Sequence, residues 1–239
     1  MSKRAVLLAG GKGTRLRPYT VVLPKPLMPI GNYPILEVII RQLVGHGFDH
    51  ITLAVNHQAE IIKAFFGDGS KWNIKIDYSL ETQPLSTMGP LKLIDDLPEN
   101  FLVMNGDILT DLNFSKLFDD HVAENRLYTI SSYEREQINQ YGVLFTNDNN
   151  HLTGFEEKPK VKFEVSMGIY IINNKVLDFI PTNQAYGFDH LMLKMIEDKN
   201  QVNVKKHEGY WLDIGRPDDY MVAIETFDKM KKTFLGEGF

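Results

Sequence analysis

VLLAGGKGTRLRPYTVVLPKPLMPIGNYPIL, running from Val6 to Leu36, begins as an apolar strand and empties into a glycine loop followed by basic residues. Up to Leu36 the chain holds six Lys/Arg and no Asp/Glu, although the whole protein carries 26 Lys+Arg against 31 Asp+Glu. An acidic chain has therefore gathered positive charge on one loop. Gly10, Gly11 and Gly13 let the backbone approach a ligand and aim N–H groups at it, while Lys12, Arg15, Arg17 and Lys25 supply the counter-charge that a polyphosphate needs. The stretch reads as a nucleotide loop.

It belongs to neither of the two commonest kinds. A GxxxxGK[ST] loop needs Lys and then Ser or Thr after its last glycine, whereas Gly13 is followed by Thr14 and Arg15. A GxGxxG fingerprint starting at Gly11 needs a glycine where Leu16 stands, and leucine blocks the close helix packing which that glycine permits.

Bulk properties exclude much else. The length of 239 residues suits one large α/β unit, and the net charge of −5 argues against nucleic-acid or anionic-membrane partners. Without cysteine there is no disulfide, thiol nucleophile or cysteine-zinc site. The first apolar run, Ala5 to Ala9, is too short for the core of a signal peptide, and no later run approaches a membrane span, so the expectation is a soluble cytoplasmic protein. His46, His50, His57, His121, His151, His190 and His207 show no metal spacing and read as ordinary surface or half-buried residues.

Along the chain, strands alternate with amphipathic helices. Strands are expected at Ala5 to Ala9, Ile51 to Val55, Ile74 to Ser79 and Phe101 to Asn105, with helices from Pro34 to about Gly45 and from Gln58 to Phe66. Such alternation predicts a mostly parallel sheet with helices on both faces and a ligand site at the carboxyl ends of the strands, where Gly10 to Lys12 and Gly106 to Asp107 fall. The second half changes character. Arg126 to Tyr133, Gly142 to Phe145, His151 to Phe155 and Val165 to Ile172 read as shorter strands, followed by a closing helix from Pro217 with Asp218 and Asp219 in its first turn.

From Gly11 to Glu37 the chain matches GxGTRLRPxTxxxPKPLxPIGxxPILE, the motif of sugar-1-phosphate nucleotidyltransferases, and the resemblance runs from Val6 to about Ile224. Within that family it most resembles mannose-1-phosphate guanylyltransferases, since PLSTMGPL, Pro84 to Leu91, is similar to their PLGTAGPL with Ser86 in place of a glycine. The resemblance implies an α/β fold: a Rossmann-like, mixed, mostly parallel sheet flanked by helices, with a smaller β-rich extension that covers the sugar. It implies one catalytic domain over 1–239, with a nucleotide-binding half to about 112 and a sugar-binding half with the closing helix from about 113. The left-handed β-helix domain of many relatives is not expected within this length.

The implied reaction transfers a nucleoside monophosphate from a triphosphate to a sugar 1-phosphate and releases pyrophosphate. A phosphate monoester has a second pKa of about 6, so the attacking oxygens are already anionic near neutral pH and need no general base. The difficulty is electrostatic: a dianion must approach a polyphosphate. By resemblance, Arg15 holds the triphosphate and Lys25 the transferring phosphate, both as catalytic residues. Leu8, Ala9, Gly10, Gly11, Gly13, Thr14, Glu81, Pro84, Thr87 and Gly106 contact the nucleotide. Gly142, Glu156, Glu157, Lys158 and Ser166 hold the sugar phosphate, although relatives often have Asn at the position of Ser166. Asp107 and Asp213 hold Mg2+. Trp211 and Tyr170 either face the sugar or pack in the core.

The base is read from one side chain. A carboxylate at Glu81 accepts only, and guanine offers two adjacent donors, N1–H and N2–H₂, so GTP is favoured. Gln83, with both a donor and an acceptor, suits uracil or thymine if it is the reader, which keeps a uridylyl- or thymidylyltransferase as the alternative. A non-catalytic sensor of nucleotide sugars would be free to lose charge, yet Arg15, Lys25, Asp107, Lys158 and Asp213 are all present. Partners beyond the triphosphate and sugar 1-phosphate are left open, a homo-oligomer among them.

Overall fold

The computed structural model describes residues 2–56 and 58–236, so His57 lies outside the described residues. In chain order the elements are β1 (Lys3–Leu8), the short pair β2 (Pro29–Ile30) and β3 (Tyr33–Pro34), α1 (Ile35–Gly45), β4 (Phe48–Val55), α2 (Ala59–Phe66), β5 (Lys75–Leu80), β6 (Asn100–Asn105), β7 (Ile108–Thr110) and α3 (Phe114–Ala123). Then follow β8 (Tyr128–Ile138), β9 (Val143–Thr146), β10 (Leu152–Glu156), β11 (Lys160–Asn173), α4 (Phe188–Glu197), β12 (Val202–His207), β13 (Trp211–Asp213) and α5 (Pro217–Leu235).

Seven strands form the central sheet in the order β12-β8-β11-β6-β1-β4-β5. Every neighbouring pair is parallel except those made by β11, which runs antiparallel between β8 and β6. The expected mixed, mostly parallel α/β sheet is therefore the observed one. Its middle strands are apolar on both faces because helices cover both. Ala5 and Leu7 of β1, Leu102 and Met104 of β6 and Ile169 and Ile171 of β11 enter one core, together with residues of α1, α2, α3 and α5. Val6, Phe101, Val103, Tyr170 and Ile172 enter the other, with Leu191 and Met195 of α4. Strict alternation between two cores explains why these strands read as continuous apolar runs.

In the second half β9 and β10 are short as expected, but β8 and β11 are not. β8 spans 11 residues and β11 spans 14, because both continue beyond the covered sheet as a two-stranded ribbon. Its outer part is exposed and charged, and diagonal ion pairs tie it together: Lys162 to Glu134 at 2.7 Å and Lys160 to Glu136 at 3.0 Å. Polar alternation hid those residues from a reading built on apolar runs. The sequence reading also omitted α3 and α4. In α3 the signal is present, since Phe114, Leu117, Phe118 and His121 share the buried face and the Asn113 side chain accepts the Lys116 N–H at 2.9 Å. In α4 only Leu191 and Met195 are buried while Leu193 and Ile196 are exposed, which blurs its stripe.

His121 joins α3 to the sheet and is fully buried. Its Nε2 lies 3.2 Å from Asn100 Oδ1, which also accepts the Asn173 amide at 3.1 Å, so Nε2 carries the proton and donates. Nδ1 then accepts from the Thr129 hydroxyl at 2.8 Å. Burial, with Arg126 adding, holds the imidazole pKa down at about 4. The unfolded chain takes up this proton first, so the stabilisation is complete above about pH 6.5 and is lost as pH falls through about 4. Urea unfolding at pH 7 and pH 4.5 should show about 2–3 kcal/mol of loss attributable to this group, and His121→Gln should flatten the slope by that amount.

Candidate functional site

The site forms where β1 and β6 end side by side. The Gly106 N–H donates to Leu8 O at 3.0 Å, and a Cβ at Gly106 would stand only 3.0 Å from that same oxygen, so the two strand ends touch through backbone. From β1 the glycine loop turns back on itself. Gly13 has φ 61°, and a Cβ there would meet Thr20 Cγ2 at 2.9 Å and Lys25 Cβ at 3.1 Å, while the Thr20 hydroxyl donates to Gly13 O at 2.6 Å. Leu16 is fully buried and pins the loop into the core, which is why no third glycine stands there.

Lys25 follows Pro24 and opens a tight turn, Lys25–Leu27, whose three residues are buried. Its ammonium lies against Asp107 Oδ2. Asp107 follows β6, and its carbonyl accepts the Ile214 N–H at 3.0 Å, so the chain after β13 is drawn to the same place. β13 pairs antiparallel with β7, setting Asp213 opposite Ile108. Burial pushes the Asp213 carboxyl up, and the Asp107 carboxylate adds to this; Lys25, Arg15 and Arg135 pull the other way. A Cβ on Gly215 would stand 3.1 Å from an Arg15 guanidinium nitrogen and 3.4 Å from Asp213 Oδ2, which brings Arg15 beside Asp213.

Two adjoining cavities open here. One, of about 240 Å³, is lined by Leu8, Ala9, Gly11, Lys12, Gly13, Thr14, Arg15, Lys25, Pro26, Gly106, Asp107 and Gly215. The other, of about 450 Å³, shares Leu8, Gly11, Lys12 and Asp107 with it and adds Gly10, Asn56, Glu81, Pro84, Ser86, Thr87 and Asn105. All ten expected nucleotide contacts and both expected catalytic residues thus line one connected space. Sequence reasoning did not name Asn56, Asn105 or Gly215. The first two sit at or beside the carboxyl ends of β4 and β6, where the crevice rule for parallel strands would have found them.

Glu81 is only partly free. Its Oε2 accepts the Leu85 N–H at 3.2 Å, and burial pushes its carboxyl up. Gln83 is exposed and donates to Asn183 O at 3.2 Å. Thr87 Oγ1 accepts the Phe188 N–H at 2.8 Å, fastening this loop to α4.

The expected sugar-phosphate residues stand apart from these cavities. Glu156 lines a separate groove of about 610 Å³ on the ribbon, with Tyr141, Phe145 and Phe163. Lys158 is exposed, with φ 47°. Gly142 packs against the Phe155 ring and close to Glu157 Oε2. Ser166 sits where the β11–β8 register shifts; its hydroxyl accepts the Gly168 N–H at 3.3 Å and lies 3.2 Å from the Tyr170 hydroxyl. Tyr170 is a core residue stacked on Phe188 at 4.8 Å, whereas half-buried Trp211 donates from Nε1 to Met167 O at 3.0 Å. Among the described residues no three His, Asp or Glu side chains gather at one point.

Residues 4–229 match the nucleotidyl transferase family. The chain belongs to that family. The chain is 35% identical over 241 residues to the UTP–glucose-1-phosphate uridylyltransferase of Synechocystis sp., covering 92% of the chain and 62% of the relative. It is 37% identical over 230 residues to the mannose-1-phosphate guanyltransferase of Hypocrea jecorina, covering 91% of the chain and 62% of that protein. The chain therefore spans under two thirds of the length of these curated relatives. Among solved structures, HddC from Yersinia pseudotuberculosis complexed with GMP-PN is similar at 28% identity and a TM-score of 0.72, covering 94% of this chain and 99% of that one. The glucose-1-phosphate thymidylyltransferase structure from Bacillus anthracis shares the fold at a TM-score of 0.77 and 19% identity.

Ser86, which stands where the PLGTAGPL pattern has glycine, adopts φ 65°. That left-handed conformation disfavours any residue with a Cβ, and the hydroxyl makes no hydrogen bond among the described residues. Ser86→Gly should raise stability by about 0.5–1 kcal/mol, the relief of strain exceeding the entropy that glycine costs. Chemical denaturation of the two proteins checks this.

Proposed function

We propose that this chain transfers a nucleoside monophosphate, GMP foremost, from its triphosphate to a hexose or heptose 1-phosphate such as mannose 1-phosphate, with release of pyrophosphate. The observation that carries the reading is the convergence of the glycine loop, Arg15, Lys25, Asp107 and Asp213 on the joined ends of β1 and β6. The glycine loop and Arg15 would take the triphosphate and leaving pyrophosphate. Lys25, held at the Asp107 carboxylate, would meet the phosphate whose charge grows during transfer. The half up to about residue 112 binds the nucleotide, and the ribbon side binds the sugar phosphate through Glu156, Glu157, Lys158, Ser166 and the backbone at Gly142.

The donor set suits magnesium. Two half-buried carboxylates face each other closely enough for one to raise the other's pKa, and no third acidic or histidine ligand joins them among the described residues. Magnesium commonly takes one or two carboxylates and completes its shell with phosphate oxygens and water. Asp107 and Asp213 would hold it, and when bound it supplies positive charge between the phosphates.

GTP is favoured because Glu81 borders the larger cavity and still has lone pairs beyond the one given to Leu85. A uridylyltransferase is the second reading, supported by the similarity to the Synechocystis enzyme.

Pyrophosphate release measured over a matrix of triphosphates and sugar 1-phosphates is the direct test; turnover is expected to be highest with GTP. Better turnover with UTP or dTTP would overturn the base assignment, and no turnover with any pair would overturn the transferase reading. Asp107→Ala and Asp213→Ala should each lose orders of magnitude in kcat at saturating magnesium while keeping the wild-type circular dichroism. Near wild-type turnover in either variant would remove that residue from the metal assignment.

The two lysines should separate kinetically. Lys25→Ala should depress kcat, the mark of an interaction made in the transition state, whereas Lys158→Ala should chiefly raise the KM for the sugar phosphate. The reverse pattern would mean that their roles are exchanged.

A further inference from the structure

Arg135 projects from β8, opposite Phe163 of β11, where the ribbon leaves the covered sheet. The acids beside it in sequence are already engaged. Glu134 pairs with Lys162 at 2.7 Å and Lys206 at 3.1 Å, and Glu136 pairs with Lys160 at 3.0 Å. Strand alternation also puts both on the face away from Arg135. On its own face stands Tyr133, whose ring packs 5.5 Å from that of Trp211, and the Arg135 guanidinium lies over the same indole, 5.4 Å from the ring centroid. Among the described residues Arg135 makes no ion pair. It is an exposed, oriented cation without a carboxylate partner.

Its platform leads to the reacting centre. Trp211 is locked by the bond from Nε1 to Met167 O, and two residues further along β13, on the same face, comes Asp213. Arg135 thus lies over a ring that shares a strand face with that carboxylate. Lys25 therefore approaches the acidic pair from the glycine loop and Arg135 from the sugar-side ribbon.

We propose that Arg135 is a further anion-binding residue of this site, gripping the phosphate of the sugar 1-phosphate from the ribbon side, an assignment that rests on the transferase reading above. A guanidinium stacked on an indole keeps its edge N–H groups free to fork onto two oxygens of a dianion, which an ammonium cannot do. The sugar phosphate must lie between the ribbon and the α-phosphate of the nucleotide, and Arg135 is a ribbon cation stacked on the indole two residues from Asp213. The competing role, a cover for the Trp211 ring, touches stability and leaves substrates alone.

Calorimetric titration of the full chain with mannose 1-phosphate, glucose 1-phosphate, inorganic phosphate and GTP tests the assignment in wild type, Arg135→Gln and Arg135→Lys. In Arg135→Gln, hexose 1-phosphate binding should weaken about tenfold to a hundredfold, with an intermediate loss in Arg135→Lys and GTP affinity within about twofold of wild type. The KM for the sugar phosphate should rise in step, and guanidinium added to Arg135→Gln should restore part of it. Equal hexose 1-phosphate affinity in wild type and Arg135→Gln overturns the proposal, as does a parallel loss of GTP affinity or a fall in Tm with binding unchanged. Should wild type turn over no triphosphate–sugar pair, the transferase reading fails separately; equal affinity of wild type and Arg135→Gln for inorganic phosphate would then overturn the anion assignment too.

Discussion

The ion pair between Lys25 and Asp107 spans 82 residues of sequence and fastens the glycine loop to the end of β6. Both side chains are mostly withdrawn from water, at 11% and 17% exposure. A half-buried charge that loses its partner is costly, so the pair holds the loop shaped before any substrate arrives. The other constraints follow from it. Gly13 is held to glycine because its φ is positive and a Cβ there would crowd Thr20 Cγ2 and Lys25 Cβ, and Gly106 must let the loop's parent strand pass at backbone distance. Asp213 feels the same pair from the side of β13, which the Ile214–Asp107 backbone bond brings in. Preorganisation of this kind places the charges at the point of transfer without reorganisation during reaction.

The antiparallel strand β11 gives the sheet its second function. A wholly parallel sheet would put every strand's carboxyl end at one crevice and leave nothing to reach over it. β11 runs the other way between β6 and β8, and its register shifts between Ser166 and Tyr170, beside Gly168 at φ 72°. A Cβ at Gly168 would stand 2.6 Å from the Asn105 amide nitrogen, so this irregularity packs directly on the end of β6. Beyond it β8 and β11 run on as a charged ribbon whose buried neighbours are few. The site proposed above would thus have one wall built into the core and one borne on an exposed ribbon with fewer buried contacts to hold it.

What could be read from the sequence divides along the same line. The glycine loop with its gathered cations and the placing of Gly106 and Asp107 at a strand's carboxyl end were legible from short-range rules, whereas the roles expected of Arg15, Lys25 and Asp107 came through resemblance. Asp213 was found through resemblance, since nothing local distinguishes it from a turn residue; only the pairing of β13 with β7 brings it to Asp107. The ribbon's length was not legible, because its stability comes from diagonal pairs such as Lys162–Glu134, which exist only once the register is set. Arg135 escaped for a similar reason, because its position is set by an indole on a distant strand.

The distribution of charge bears on how an acidic chain could receive the two anionic substrates proposed for it. At long range the net charge of −5 repels them. Many of the protein's cations, Lys3, Arg4, Arg41 and Lys162 among them, are paired with acids. Lys12, Arg15, Arg135 and Lys158 make no ion pair among the described residues, and the first two line the cavity at the glycine loop. Screening in physiological salt confines the net repulsion to roughly 8 Å, so an approaching polyphosphate responds chiefly to the unpaired cations it meets at the crevice. Lys12 and Arg15, bare at the cavity, thus set the attraction at the glycine loop. Asp107 and Asp213 temper that attraction at the centre, where they stand against Lys25 and Arg15, and so leave Lys12 on the glycine loop as the cation with no acid set against it among the described residues, on the side where pyrophosphate would leave.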